Sequence, residues 1–204
     1  MTGAGDGEPL QELLDVMRRL RAECPWKREQ THRSLARYLL EETHETLEAI
    51  DTGDADHLRE ELGDLLLQVF FHAVVAEQAG DFTLDDVARD ITEKMRRRNP
   101  HVFDPSSGEA PRDPVAVNEL WETVKAEEKR RASVTDGLPP GLPALLYADK
   151  VLDRLAREGR EVVVDGTYDG GAELGDRLLA LVAESRLQGR DPEQALRDAV
   201  RRLL

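Results

Sequence analysis

This 204-residue chain has little of several residue types, and each shortage excludes a class of protein. The one cysteine, Cys24, excludes an intrachain disulfide and a zinc site built from several cysteines. Aromatic residues make up only 4% of the sequence, which disfavours β-sheets because sheet surfaces are rich in aromatic and β-branched residues. The longest apolar run, residues 65–76, includes Gln68 and His72 and is too short to cross a bilayer.

Basic residues are also scarce relative to acidic ones. The chain has 28 Lys+Arg and 42 Asp+Glu, so the formal net charge is −14. This acidity argues against a surface that binds a nucleic-acid polymer, because phosphate backbones attract Lys and Arg. It leaves room for a small phosphorylated ligand held through a metal ion. Residues 1–11 lack the basic and apolar regions of a secretory signal, so we expect a cytoplasmic protein that spans no membrane.

Glycine and proline divide the sequence into segments with helical periodicity. Thr83, followed three residues later by Asp86, is a good N-cap, and Asp191 followed by Pro192 is another. The run Val162–Val164 resembles a strand, but one such run makes no sheet. The expected fold class is therefore all-α, a helical bundle. The pattern predicts helices over residues 10–23, 34–51, 55–79, 84–98, 115–132, 144–158, 172–188 and 192–204, with loops at 24–32 and 99–114.

Four carboxylates occupy matching positions on two of these helices. Glu42 and Glu45 share one face of the first helix, and Glu61 and Asp64 share one face of the second. Counted from Gly53, Glu42 and Asp64 are equidistant, and so are Glu45 and Glu61. In an antiparallel hairpin, residues equidistant from the turn lie level with each other. The spacing therefore predicts that the four carboxylates meet at two adjacent levels.

A solvated acidic face is the ordinary explanation for such a pattern, but the helical wheel argues against it. Glu42 lies on the apolar stripe of its helix, whereas Glu41 lies on the polar side. Acids that face a core repel one another unless a cation neutralises them, and hard oxygen ligands favour Mg²⁺ or Mn²⁺. Gln68 and His72 continue the face of Glu61, and for His72 a hydrogen-bonded core position is favoured over a ligand. A di-iron carboxylate site is disfavoured because it requires a Glu-x-x-His pair from each of two helices, and Glu45 and His72 do not form such a motif.

The pattern Glu42-x-x-Glu45, fifteen residues, then Glu61-x-x-Asp64 resembles the metal-binding signature of the MazG-type nucleoside triphosphate pyrophosphohydrolases. Three flanking segments strengthen the resemblance, which covers about residues 10–150. They are Cys24-Pro-Trp26 with Gln30-Thr-His32, then Glu93-Lys94 with Arg97-Arg98 and Pro100-His-Val-Phe103, and finally Trp121-Glu122 with Lys125 and Glu128-Lys129.

The resemblance implies a fold, a reaction and a set of site residues. The fold is the all-α NTP pyrophosphatase bundle, with the metal site on the helical hairpin. The reaction is hydrolysis of a nucleoside triphosphate to the monophosphate and pyrophosphate, with Mg²⁺ as cofactor and Mn²⁺ as a substitute. Glu42, Glu45, Glu61 and Asp64 are the expected catalytic ligands, and Glu45 is the candidate to accept a proton from the attacking water.

The same resemblance favours Lys94, Arg97, Arg98 and Lys125 as phosphate contacts. Without it, the first three would be assigned to the carbonyl end of a helix dipole. Trp26 and Trp121 are candidates for stacking on a base, although a packing role fits each equally well. A homodimer is expected, as in the family. The residues do not indicate which base is preferred.

The predicted organisation is a flexible N-terminus at 1–9, a MazG-like catalytic module at 10–135 and a helical region at 136–204. Larger family members carry two modules, and Glu173-Leu-Gly-Asp176 resembles Glu61-Leu-Gly-Asp64. No Glu-Glu-x-x-Glu pattern precedes it at 151–172, so the C-terminal region resembles an eroded second copy. The favoured function is nucleotide-pool housecleaning. The alternative is a non-catalytic module that senses a nucleotide or metal, and a plain helical scaffold is third.

Overall fold

A computed structural model describes residues 8–104, 113–128, 133–160 and 174–203, and every regular element in these ranges is a helix. The all-α prediction is therefore confirmed. No helix within these ranges is both long enough and apolar enough to span a membrane. The helices are α1 Glu8–Glu23, α2 Pro25–Arg28, α3 His32–Thr52, α4 Ala55–Ala79, α5 Leu84–Arg98, α6 Pro100–Phe103, α7 Pro114–Glu128, α8 Ala144–Arg157, α9 Leu174–Leu187 and α10 Pro192–Arg201.

Two predicted loops contain short helices that the sequence analysis missed. Both α2 and α6 begin with a proline, Pro25 and Pro100. Proline breaks a helix at interior positions, but its fixed φ and missing N–H suit the first position of a helix. Helix α1 begins at Glu8, two residues before the predicted start at residue 10. Residues 1–7, 105–112, 129–132, 161–173 and 204 lie outside the described residues, and with them the strand-like run Val162–Val164.

The chain divides into two compact units, Met1–Lys125 and Ala126–Leu204. In the first unit, α3 and α4 form an antiparallel hairpin, and α1 packs against α4. The centre of its core consists of side chains from these three helices. These are Leu14 and Met17 of α1, Leu35 of α3, and Phe70, Phe71 and Val74 of α4.

A buried arginine fastens the loop that precedes the hairpin. The Arg21 guanidinium donates to the backbone carbonyls of Lys27, Arg28 and Gln30, and also to the Gln78 side chain on α4. Arg21 is 7% exposed, so these acceptors replace the water that the cation loses on burial. The segment that contains α2 and Trp26 is thereby held against both α1 and α4 by hydrogen bonds.

The second unit contains α8, α9 and α10, which contact one another, with Leu152 and Val182 buried. Arg186 of α9 bridges two carboxylates of α8, at 3.0 Å from Asp149 and 3.0 Å from Asp153. The predicted N-cap at the start of α10 is confirmed, because the Asp191 side chain accepts hydrogen bonds from two backbone N–H groups. The predicted catalytic module ends at residue 135, whereas the first compact unit of the structure ends at Lys125.

Candidate metal and nucleotide site

The turn between α3 and α4 sets the register of the hairpin. Gly53 ends α3 with φ 72°, a left-handed conformation that glycine adopts without strain. Asp54 follows it and caps α4 by accepting hydrogen bonds from the backbone N–H groups of Asp56 and His57. Because only these two residues separate the helices, positions equidistant from the turn face each other, as the spacing predicted.

Three of the four predicted acids meet across this hairpin. Glu42, Glu45 and Glu61 each offer a carboxylate oxygen within 4.8 Å of the others. Asp64 is not a member of this mutually close set. Its charge nevertheless raises the pKa of Glu42 more than the charge of any other residue does.

The three clustered carboxylates differ in their exposure. Glu61 is buried at 9% exposure, Glu42 is partly buried, and Glu45 is exposed. The expectation that all of these acids face the core is therefore wrong for Glu45. Glu41, which the helical wheel placed on the polar side, is exposed on the outside of α3. The cluster consequently has a buried end at Glu61 and an open end at Glu45.

Burial and repulsion both act on the charge of Glu42. Burial is the largest cause raising the pKa of its carboxyl, followed by the charges of Asp64, Glu45 and Glu61, with a smaller effect of Glu41. One Glu61 oxygen lies 3.2 Å from His57 Nε2, one helical turn earlier on α4. The other, Oε2, is buried and accepts no hydrogen bond from the described residues. Sequence analysis missed His57, although its spacing of four residues before Glu61 was a usable signal.

These features fit a bound divalent cation. The donors are hard carboxylate oxygens, and one of them is a buried oxygen with no protein donor. Ligand oxygens on opposite sides of one Mg²⁺ lie about 4 Å apart, a separation compatible with the observed cluster. A cation at this position would stabilise the ionised form of Glu42 and complete the coordination of Glu61.

A second group of residues, on α5 and α7, combines cations with an aromatic ring. The Arg98 guanidinium carbon lies 5.0 Å from the centre of the Trp121 ring, and Lys125 Nζ lies 4.8 Å from it. Arg98 is buried, and Lys125 Nζ also pairs with Glu122 at 2.7 Å. The structure thus brings together three of the predicted substrate contacts, and we call Arg98, Trp121 and Lys125 the cationic cluster.

The remaining predicted contacts lie outside the cationic cluster. Lys94 is partly buried on α5 and Arg97 is exposed in its last turn. Trp26 is 50% exposed, with its ring edge-on to Tyr38 at a centroid distance of 6.0 Å. Lys27 Nζ lies 5.5 Å from the Trp26 ring. Trp26 therefore packs on one side and still presents aromatic surface to solvent.

Comparisons with known proteins identify the family. The profile of the MazG nucleotide pyrophosphohydrolase domain matches residues 30–103, which include the four predicted acids. The nucleoside triphosphate pyrophosphohydrolase/pyrophosphatase MazG of Thermotoga maritima is 38% identical, over 95% of this chain and 82% of its own length. The nucleoside triphosphate pyrophosphohydrolase of Escherichia coli K12 is 39% identical, over 93% of this chain and 82% of its own.

A third relative is more similar but longer. The nucleoside triphosphate pyrophosphohydrolase of Mycobacterium tuberculosis is 49% identical, over 75% of this chain and 46% of its own length. Taken together, these similarities place the chain in a class of helical hydrolases that act on acid anhydrides. The chain belongs to the MazG nucleotide pyrophosphohydrolase family, as the sequence motifs indicated.

Proposed function

We propose that this protein hydrolyses nucleoside triphosphates to nucleoside monophosphate and pyrophosphate at the α3–α4 hairpin. The observation that carries this proposal is the convergence of Glu42, Glu45 and Glu61 within 4.8 Å in a chain of this family. One water is consumed, and the anhydride bond between the α- and β-phosphates is broken. The relatives from Thermotoga maritima and Escherichia coli K12, whose names include this activity, each align with more than nine-tenths of this chain.

Glu42, Glu45, Glu61 and Asp64 are the proposed ligands of Mg²⁺, which Mn²⁺ can replace. When bound, the ion neutralises phosphate charge and lowers the pKa of a coordinated water. The protein's part is to hold carboxylates of both helices at fixed positions before the substrate arrives. His57 holds one oxygen of Glu61, which leaves the buried Oε2 without a protein donor among the described residues.

Glu45 is the proposed acceptor of the proton released by the attacking water. It is the exposed member of the cluster, so a proton taken up there can pass to solvent. Burial and like charges disfavour ionisation of Glu42, which therefore gains most from a cation. These two acids, three residues apart on α3, thus have separate roles.

The cationic cluster is the proposed binding site for the phosphate groups, with Lys94 and Arg97 contributing from α5. Arginine and lysine beside an indole ring are already aligned by the ring, so little side-chain freedom is lost when they bind phosphate. Trp26 is the proposed platform for the base, since half of its surface is exposed and Tyr38 supports its edge.

The proposed assembly of this protein is a homodimer. Apolar side chains remain exposed on the hairpin, including Leu40 and Ile50 of α3 and Leu62 and Val69 of α4. A second copy of the same hairpin would cover them, and the expected solution mass is about twice the 22.9 kDa of one chain. We further propose a housecleaning role in the cytoplasm, with residues 136–204 as an eroded second module that lacks a complete acid set.

The test is product analysis by ³¹P NMR with a panel of canonical and modified triphosphates, in Mg²⁺, Mn²⁺ or chelator. Monophosphate and pyrophosphate in equal amounts, formed only with metal, are the expected products. Release of inorganic phosphate and a diphosphate would contradict the proposed bond cleavage. Metal binding without any turnover across the panel would instead support a sensor module.

A further inference from the structure

The side of α4 that carries Glu61 also carries two side chains that each have one buried polar atom without a hydrogen-bond partner among the described residues. Glu61 Oε2, Gln68 Oε1 and His72 Nε2 are buried, and none has a hydrogen-bond partner among the described residues. Spacings of seven and four residues place the three positions within about 40° of one another around the helix. A line of unpartnered polar atoms therefore runs along α4, beginning at the acid cluster.

Gln68 is the most unusual of the three because it is almost fully enclosed. It is 5% exposed, and its neighbours in sequence, residues 65–67 and 69–71, are all apolar. Burying an amide carbonyl without a donor destabilises a protein, so such a group is rare unless it serves a ligand. An apolar side chain of the same length would suit the unliganded core better.

The position of Gln68 indicates which part of a substrate could reach it. It lies one helical turn beyond Asp64, about 6 Å along the axis on the side away from the Gly53 turn. On the turn side, His57 already pairs with Glu61. A nucleotide whose phosphates bind at the acid cluster would therefore meet the unpartnered polar atoms of α4 on the side toward Gln68. The first hydrogen-bond donors after the α-phosphate are the ribose hydroxyls.

We propose that Gln68 is a specificity-determining residue whose Oε1 accepts a hydrogen bond from a ribose hydroxyl of the bound nucleoside triphosphate. This inference rests on the proposed function, because it assumes that the triphosphate is held at the acid cluster. It adds that the nucleoside lies along α4 toward His72 and that the enzyme distinguishes sugars. Ribose is favoured over the base as the partner of Gln68, because the base lies farther from the phosphates.

The test compares wild type with Gln68→Met, which keeps the side-chain length and removes the carbonyl. The substrates are the ribo-, 2′-deoxy- and 2′,3′-dideoxynucleoside triphosphates of the base that wild type prefers. For wild type, kcat/KM is expected to be about tenfold or more lower on a substrate that lacks the contacting hydroxyl than on one that has it. Gln68→Met should lose a similar factor on the ribonucleotide and show no further loss on the dideoxynucleotide.

Gln11→Met is the matched control, since Gln11 is exposed and its side chain bonds to Asp15 on the surface of α1. It should keep the wild-type preference among sugars. If Gln68→Met retains the wild-type sugar discrimination, the inference is overturned. Methionine and glutamine differ little in size, so a packing defect is a minor concern.

Thermal unfolding gives a second readout that a purely structural role would not produce. Without ligand, Gln68→Met should unfold at the wild-type temperature or above it, because a buried carbonyl without a donor has been removed. A large drop in unfolding temperature would assign Gln68 to the core and contradict the inference. If wild type releases no pyrophosphate, the proposed function fails, and the sugar dependence is then measured as stabilisation by the same nucleotides.

Discussion

The imidazole rings of His32 and His72 lie in one plane, with their Nδ1 atoms 2.7 Å apart. His32 is the first residue of α3 and His72 lies on α4, so this contact joins the two helices at the open end of the hairpin. One Nδ1 donates and the other accepts, which requires that the two rings are not both protonated. His72 is hydrogen-bonded, as predicted, but it is only partly buried and does not lie fully in the core.

The His72 environment predicts a loss of stability in mild acid. Burial is the main cause lowering the pKa of His72, and the charge of His32 is the second. The unfolded chain takes up this proton near pH 6.5, while the folded chain does so only at lower pH. The free energy of unfolding should therefore be fully maintained above about pH 6.5 and fall as the pH drops below it.

Urea unfolding of wild type and His72→Asn between pH 8 and pH 5 measures this effect. The variant lacks the titrating ring, so the stability advantage of wild type should shrink as the solution is acidified. An advantage that stays constant across this range would show that the His72 ring does not link protonation to folding.

The buried Arg21 predicts a large effect of a single substitution on stability. Arg21→Met removes the donor for three loop carbonyls and for Gln78, so about 3 kcal/mol of unfolding free energy should be lost. Arg19→Met is the control, because Arg19 is exposed and pairs with the exposed Glu23 one turn away. Its cost should stay below about 0.5 kcal/mol in the same urea titration. Equal costs for the two variants would contradict the role assigned to Arg21.

Two glycines near the acid cluster should respond in opposite directions to alanine. Gly53 has φ 72°, so Gly53→Ala should cost about 1 kcal/mol of unfolding free energy. Gly63 lies inside α4, and a Cβ built there meets no atom within 4 Å. Gly63→Ala should therefore stabilise the protein by about 0.5–1 kcal/mol. Urea unfolding of both variants measures these changes. An increase in the free energy of unfolding for Gly53→Ala would refute the assigned turn geometry.

The sequence predicted the hairpin well because its ends carry local signals. The Asp54 side chain caps the start of α4, and Gly80 ends the helix in a left-handed conformation. The predicted range 55–79 matches the observed helix. The short helices α2 and α6 were missed because a proline both interrupts a helix and suits its first position. No periodicity distinguishes these two roles over four residues.

The site was predicted only in part, for a different reason. Helical spacing places Glu42, Glu45 and Glu61 at matching levels, and the structure brings their oxygens together. Spacing does not determine side-chain direction, so it failed to predict that Glu45 is exposed and that Asp64 lies outside the close set. Arg98 lies on α5 and Trp121 on α7, so their contact depends on tertiary packing rather than on local spacing.

The central claim is that the acid cluster holds the metal ion that hydrolysis requires. The most direct test measures Mg²⁺-dependent pyrophosphate release by wild type, Glu61→Gln and Glu41→Gln in parallel. Glu61 lies in the cluster, whereas Glu41 is an exposed glutamate next to Glu42 with only a minor charge effect on it.

We predict that Glu61→Gln loses at least about a hundredfold in kcat/KM while remaining folded, and that Glu41→Gln stays within about threefold of wild type. Added Mg²⁺ should also raise the unfolding temperature of wild type and Glu41→Gln, but not that of Glu61→Gln. A Glu61→Gln protein that releases pyrophosphate at the wild-type rate would contradict the account.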